Sequence, residues 1–259
     1  MAADVEAFAL LRAFVEPRFA ADAPDRHAGT TASVGSAIHE AAFAVRAKLL
    51  ALASNDRRSP LHGAAEAQVT FADGRISLKS DPSRAEAYGD ILRRNRMSSI
   101  EATVDSKPGD EDQKFSMHAF CAHFIEVRVD ADLGSIRVSR VVTACGAGRI
   151  MNEKTARSQL SGGVVGGLGM ALMEETVMDH RMGRFVNASL GEYHVPVNAD
   201  SPSIEAFFVE ERDAHVNPLG AKGIGEVSYV GVAAAVANAV FHATGKRIRQ
   251  LPITLDKLL

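Results

Sequence analysis

The chain has 259 residues, 46% hydrophobic and 24% charged, an ordinary globular balance that excludes a disordered tail and leaves room for one sizeable domain or two small ones. A net charge of -3 without a basic run offers no footprint for a polyphosphate partner, so nucleic-acid binding is not expected. The two cysteines, Cys121 and Cys145, lack CxxC spacing and can build neither a zinc knuckle nor an iron-sulfur cluster, so any electron-transfer centre must sit on a partner.

Residues 1–28 are rich in Ala, Asp and Arg, with Pro17 and Pro24, and read as a leader distinct from a domain expected over 29–259. Met1 to Arg18 carries Asp4 and Glu6 and lacks the basic start and apolar middle of a secretory signal, so a cytoplasmic location is expected, or a periplasmic one through co-export with a partner. From Ser36 to Leu52, Ile38, Ala41, Ala42, Val45, Leu49 and Leu52 fall at helical spacing, with Ser33 and Ser36 as cap candidates. Val69 to Leu78 alternates around Asp73-Gly74, a hairpin signal, and Arg84 to Asn95 predicts a short amphipathic helix. The polar run Asp105 to Gln113, with Lys107-Pro108-Gly109, predicts a surface loop.

Phe120 to Val142 has two alternating arms around Asp130-Ala131-Asp132-Leu133-Gly134: Phe124, Val127 and Val129 fit one strand, Ile136, Val138 and Val141 its partner. The cysteines lie in these apolar strand-like surroundings and read as inert buried thiols. Thr155 to Thr176 predicts a long helix, although Gly162, Gly163, Gly166, Gly167 and Gly169 each cost about 1 kcal/mol relative to alanine. So many glycines imply close approach by another backbone or a ligand. The apolar run Gly162 to Met173 is too short to cross a bilayer, and no membrane span is expected. Ile204 to Val209 predicts a strand, and Val227 to Thr244 a helix with Gly245 just past its end. The sum is an α+β fold.

Three segments have residue types suited to chemistry. Gly220-Ala221-Lys222-Gly223-Ile224-Gly225-Glu226 delivers a carboxylate to the first turn of the last long helix. Glu226 is therefore a general-base candidate, although the helix dipole favours an acid there without any chemistry. Thr30-Thr31-Ala32-Ser33-Val34-Gly35 leads into the first helix with hydroxyls and free amides, the way a helix start receives an anionic phosphate, or else serves only as a cap. Gln159, beside the Gly-rich helix, can donate to and accept from a heteroaromatic ring edge, or rest as a surface amide. Nine histidines carry no HExxH, and no GxSxG elbow exists; His118 and His123 are an odd number of positions apart and would face opposite ways on one strand. His194 and His215 read as hydrogen-bonded structural histidines.

Ser158-Gln159-Leu160-Ser161-Gly162-Gly163-Val164-Val165-Gly166-Gly167-Leu168-Gly169, then Glu192-Tyr193-His194-Val195-Pro196, the Glu226 turn and Leu251-Pro252-Ile253-Thr254 follow one another in a single order. Together they resemble the molybdenum-binding subunit of the xanthine dehydrogenase and aldehyde oxidase family, with particular likeness to bacterial aldehyde oxidoreductase and isoquinoline 1-oxidoreductase large subunits. The likeness begins near Gly29. It implies a C-terminal molybdopterin-binding domain, incomplete on its N-terminal side, because a long glycine-rich region precedes this position in the family. By the same resemblance Ala32 lines the substrate pocket, Thr31, Ser33, Val34 and Gly35 lie along the pterin, Gln159 and Gly225 contact it, and Glu226 is the catalytic base. The Gly146-Ala147-Gly148-Arg149 stretch looks like the family's loop into this helix, but Glu153 follows Asn152 where many members have proline, so no contact is assigned to it.

The implied cofactor is molybdopterin, in the cytosine dinucleotide form of bacterial members, with molybdenum held by the pterin dithiolene. The implied partners are an iron-sulfur subunit, an FAD subunit and a separate N-terminal half of the molybdenum subunit. The implied substrates are aldehydes or N-heterocycles, oxidised with water-derived oxygen. The competing expectation is a non-catalytic remnant or assembly module that keeps the fold without binding cofactor.

Overall fold

The computed structural model describes residues 30–107 and 109–259, so the leader read over 1–28 and Pro108 lie outside the described residues. The chain divides into two compact units: of the described residues, Ser33–Gly109 make the first, and 30–32 group with Asp110–Leu259 in the second.

A π-helical turn, Thr30–Val34, runs directly into helix α1 (Gly35–Asn55). The backbone is already helical at Val34, so the N-cap position falls to a side chain that cannot accept a hydrogen bond, and neither Ser33 nor Ser36 occupies it as expected. Ser36 is instead buried in the first turn. Further along, Leu49, Leu50 and Ala53 of α1 close a core with Leu61, Val69, Ile76, Leu78 and Ile91.

Strands β1 (Val69–Ala72) and β2 (Arg75–Leu78) pair antiparallel, with Val69 opposite Leu78. The link is the expected two-residue turn: Asp73 and Gly74 both take positive φ, 51° and 68°, which matches the twist of the flanking strands. The helix expected over Arg84 to Asn95 is shorter than its pattern. Ala85–Ala87 form a third strand, β3, on β2, and helix α2 covers only Tyr88–Arg94. Pairing with β2 satisfies that backbone, and the buried Glu86 on β3 is met by Ser59 Oγ at 2.7 Å and by the Arg94 guanidinium.

The second unit is built on strands β4 (Phe120–Asp130) and β5 (Ser135–Gly146), the expected hairpin, turned at Gly134 with φ 65°. The register shifts between Glu126 and Val127, leaving Ser139 unopposed on β5, so Ile136 and Val138 before the bulge and Val141 after it all face inward. Ile125, Val127 and Val129 line the same core from β4, whereas Phe124 faces outward.

Helix α3 (Glu153–Leu172) begins at Asn152, whose side chain accepts from Thr155 N at 3.1 Å. It ends four residues before the expected Thr176, where Met173 N and Glu174 N both close on Gly169 O. A short hairpin, β6 (Met178–Asp179) with β7 (Arg184–Phe185), follows, and then β8 (Ser203–Phe208) joins β5 in parallel.

The predicted final helix is two: α4 (Val227–Val230) and α5 (Val232–Thr244), parted at Gly231, with Gly245 at φ 72° closing the C-terminus. The stretch Val227–Thr244 is long and apolar enough by length and composition to cross a membrane. Its Val232, Val236 and Val240, however, are fully buried against Val138, Val141, Val164 and Leu168. The opposite face of the β4-β5-β8 sheet carries Phe120, Phe124 and Phe207, which are 57%, 67% and 50% exposed.

Candidate active site

The Gly220–Glu226 loop is held before it reaches Glu226. Gly148 and Ala221 form an antiparallel bridge, Arg149 N donates to Gly220 O at 2.7 Å, and Lys222 N donates to Ala147 O at 3.1 Å. A β-carbon on Gly148, which also has φ 64°, would collide with the Gly220 carbonyl, so this approach requires glycine. The Lys222 ammonium, on a side chain only 6% exposed, pairs with Asp213 at 3.0 Å and with Glu211, whose other oxygen accepts from Gly148 N at 2.8 Å.

Burial works against the charge on Lys222, but hydrogen bonds to Glu211 and Asp213 outweigh it and hold the pKa above the ordinary lysine value. The Glu211 carboxyl is lowered by its bond to Lys222; the Asp213 carboxyl is lowered too, its burial outweighed by Lys222 and nearby backbone amides. The sequence shows Lys222 inside the quoted motif and an acidic run just upstream. It does not show that they close on each other and on the Gly146-to-Arg149 stretch, which anchors the loop.

Glu226 sits at the N-cap of α4, one position before the first turn where it was expected, and its side chain makes no capping bond. Ser228, fully buried, fixes the segment to α3 by donating to Leu160 O at 3.0 Å. Among the described residues the Glu226 carboxylate makes no hydrogen bond or ion pair. It lines a groove of ≈ 540 Å³ together with Ser158, Gln159 and Gly162 of α3, Gly225 and Tyr229.

The glycines of α3 divide by what they face. β-Carbons on Gly163 and Gly167 would run into Ser228 and Val232, so these two admit α4 and the start of α5 against α3. A β-carbon on Gly162 would meet nothing within 4 Å and would project into open space at the groove. One on Gly225 would stand 3.7 Å from Gln159 Oε1.

Gln159, Gly225 and Glu226 are thus brought together. Thr31, Ala32, Ser33 and Val34 belong to the π-helical turn and Gly35 is the first residue of α1, with Thr31 and Ser33 exposed. His215, expected as a hydrogen-bonded histidine, has its ring stacked on Phe115 with centroids 4.0 Å apart. His123 is half-buried with neither ring nitrogen hydrogen-bonded, and burial lowers its pKa.

Molybdopterin fits these residues. The Gly162 face leaves room that a side chain would fill, while the Gln159 amide and the Glu226 carboxylate have no competing protein partner among the described residues. No group of three or more His, Cys, Asp or Glu among the described residues could hold a metal ion, so a metal in this groove would arrive with its own ligands.

The family model for the molybdopterin cofactor-binding domain matches residues 26–202. The chain is 43% identical over 192 residues to the aldehyde oxidoreductase molybdenum-binding subunit PaoC of Escherichia coli, covering 74% of this chain and 25% of that one. It is 36% identical over 140 residues to the putative xanthine dehydrogenase molybdenum-binding subunit XdhA of the same organism, covering 54% and 18%. The structure aligns with quinoline 2-oxidoreductase of Pseudomonas putida at a TM-score of 0.73 and 25% identity, covering 85% and 28%. The chain spans about a quarter or less of the length of the two curated relatives. It belongs to the molybdopterin cofactor-binding domain family, as part of the molybdenum-binding subunits of the xanthine dehydrogenase and aldehyde oxidase type.

Proposed function

We propose that this chain supplies the proton-handling wall of a molybdenum hydroxylase site that oxidises aldehydes or hydroxylates N-heteroaromatic rings. The single observation that carries this reading is the Glu226 carboxylate, unpaired among the described residues and lining the same groove as Gln159. Bound there, a molybdenum-pterin group, in its cytosine dinucleotide form, would supply the two-electron redox chemistry. Gln159, through its amide, and Gly225 beside it would hold the pterin, and the open Gly162 face would leave room for it. Glu226 takes the proton from the water-derived oxygen nucleophile as it attacks the electrophilic carbon, and the anchored loop keeps the carboxylate on that wall.

The remaining parts of the assembly are an iron-sulfur subunit, an FAD subunit and the rest of the molybdenum subunit. The last of these is supported by the uncovered aromatic face at Phe120, Phe124 and Phe207, which such a remainder would cover. The second reading is a non-catalytic module that keeps the fold without cofactor.

Glu226→Gln preserves shape and removes proton affinity. In the enzyme reconstituted with its partner subunits, turnover is expected to fall at least about 10²- to 10⁴-fold while molybdenum and pterin content stay unchanged. Turnover like that of the unsubstituted enzyme would overturn the role of Glu226. Absence of pterin and molybdenum from the complete assembly would favour the non-catalytic module.

A further inference from the structure

Cys121 and Cys145 stand directly opposite each other across the β4–β5 ladder. Val209 N donates to the Cys145 carbonyl at 2.8 Å on the β8 side. The peptide groups of Cys145 therefore point away from β4, and the pair occupies a non-hydrogen-bonded site of the antiparallel ladder. Such sites hold opposed Cα atoms about 4.5 Å apart with their side chains closest, inside the roughly 4.4–6.8 Å that a disulfide bridges. Opposed residues share one sheet face, so both thiols project together, Cys145 fully buried and Cys121 half-buried.

The two sulfurs are not equivalent. The neighbouring Cys145 thiol draws the Cys121 thiol below the ordinary cysteine value. Cys145 is pushed up by the same neighbour and by burial. The thiolate thus forms on the cysteine that a small oxidant can reach, and the chain contains no third cysteine to compete.

We propose that Cys121 and Cys145 are a reversible modification site that closes to an intrachain disulfide, with a peroxide as the two-electron acceptor. The Cys121 thiolate attacks one peroxide oxygen, the O–O bond breaks, and the departing oxygen leaves as water after taking up the proton that Cys121 released. The Cys145 sulfur then attacks the Cys121 sulfenic acid; the S–S bond forms, the S–O bond breaks, and the second water leaves with the Cys145 proton. Each sulfur gives up one electron, and the peroxide oxygens are reduced to water. Ile224 and Val227, on either side of Gly225 and Glu226, pack against the cluster that contains Cys145 and Leu160, so the bond forms beneath the groove. The chemistry does not depend on whether the groove holds a cofactor.

The test uses the full chain treated with a slight excess of hydrogen peroxide, then denatured, alkylated and mapped by mass spectrometry. Both thiols are expected to disappear together, the monomer to lose two hydrogens, a Cys121–Cys145 linked peptide to appear, and dithiothreitol to restore both thiols. Cys145→Ala should leave Cys121 as a sulfenic acid trapped by dimedone, while Cys121→Ala should leave Cys145 unmodified. In the unsubstituted chain, sulfinic or sulfonic acid at Cys121 with Cys145 still free, or only interchain linkage, would overturn the proposal.

Discussion

The ammonium of Lys222 lies 3.0 Å from the carboxylate of Asp213 and pairs at the same time with Glu211, so the loop that ends at Glu226 is tied down by a charge cluster. Removing one partner from such a cluster leaves the others charged and poorly hydrated. Lys222→Met is expected to destabilise the fold by about 3 kcal/mol, the low end for a buried pair because both acids keep partial access to water. The measurement is the urea midpoint at neutral pH, and Lys222→Arg should recover part of the loss. An unchanged midpoint for Lys222→Met would mean that the cluster does not hold the loop.

Stability should decline in two stages as the solution is acidified. Burial depresses the His123 pKa in the folded chain, so the unfolded chain binds that proton first; stability is full above the unfolded value of about 6.5 and falls as pH drops from there towards the folded value. The Glu211 and Asp213 carboxyls are also depressed on folding, so their contribution is present above their unfolded values of 4.5 and 3.8 and is lost as pH falls through the folded ones. His123→Leu should remove the first stage and leave the second. Denaturant titrations across the pH range check this, and an unaltered first stage would exclude His123 as its source.

Gly162 and Gly167 should respond in opposite ways to the same added methyl group. Gly162→Ala gains helix propensity and meets nothing within 4 Å, so the thermal midpoint should rise by the equivalent of about 0.5–1 kcal/mol. Gly167→Ala drives a β-carbon to 2.5 Å from Val232 Cβ and should lower the midpoint. If the groove is the cofactor site, the stabilised Gly162→Ala protein should also retain less pterin. Undiminished pterin content would place the cofactor elsewhere.

Much of the fold is legible where a local rule and the tertiary contacts agree. The Asp73-Gly74 and Gly134 turns, helix α1 over Ser36 to Leu52 and the Gly245 terminus follow from positive-φ chemistry and from helical spacing. The failures share one cause. Ala85–Ala87 became a strand because β2 offers an edge, and Val227–Thr244 broke at Gly231, where a β-carbon would stand 2.7 Å from the His123 ring. Neither partner lies inside the segment whose own pattern predicts the helix. The bulge at Ser139 shows in the sequence only as the odd step from Val138 to Val141, and it sets which residues of β5 face inward.

By itself, the amino-acid order determined the α+β character, the family resemblance and the candidacy of Gln159, Gly225 and Glu226, because short glycine-rich turns and side-chain types act locally. Tertiary structure alone decided that the three line one groove, that Gly163 and Gly167 serve helix packing while Gly162 stays open, and that Lys222 is locked between Glu211 and Asp213. It also decided that Cys121 and Cys145 are opposed rather than isolated. These are relationships between residues distant along the chain, and only the strand register and helix packing bring them within reach of each other.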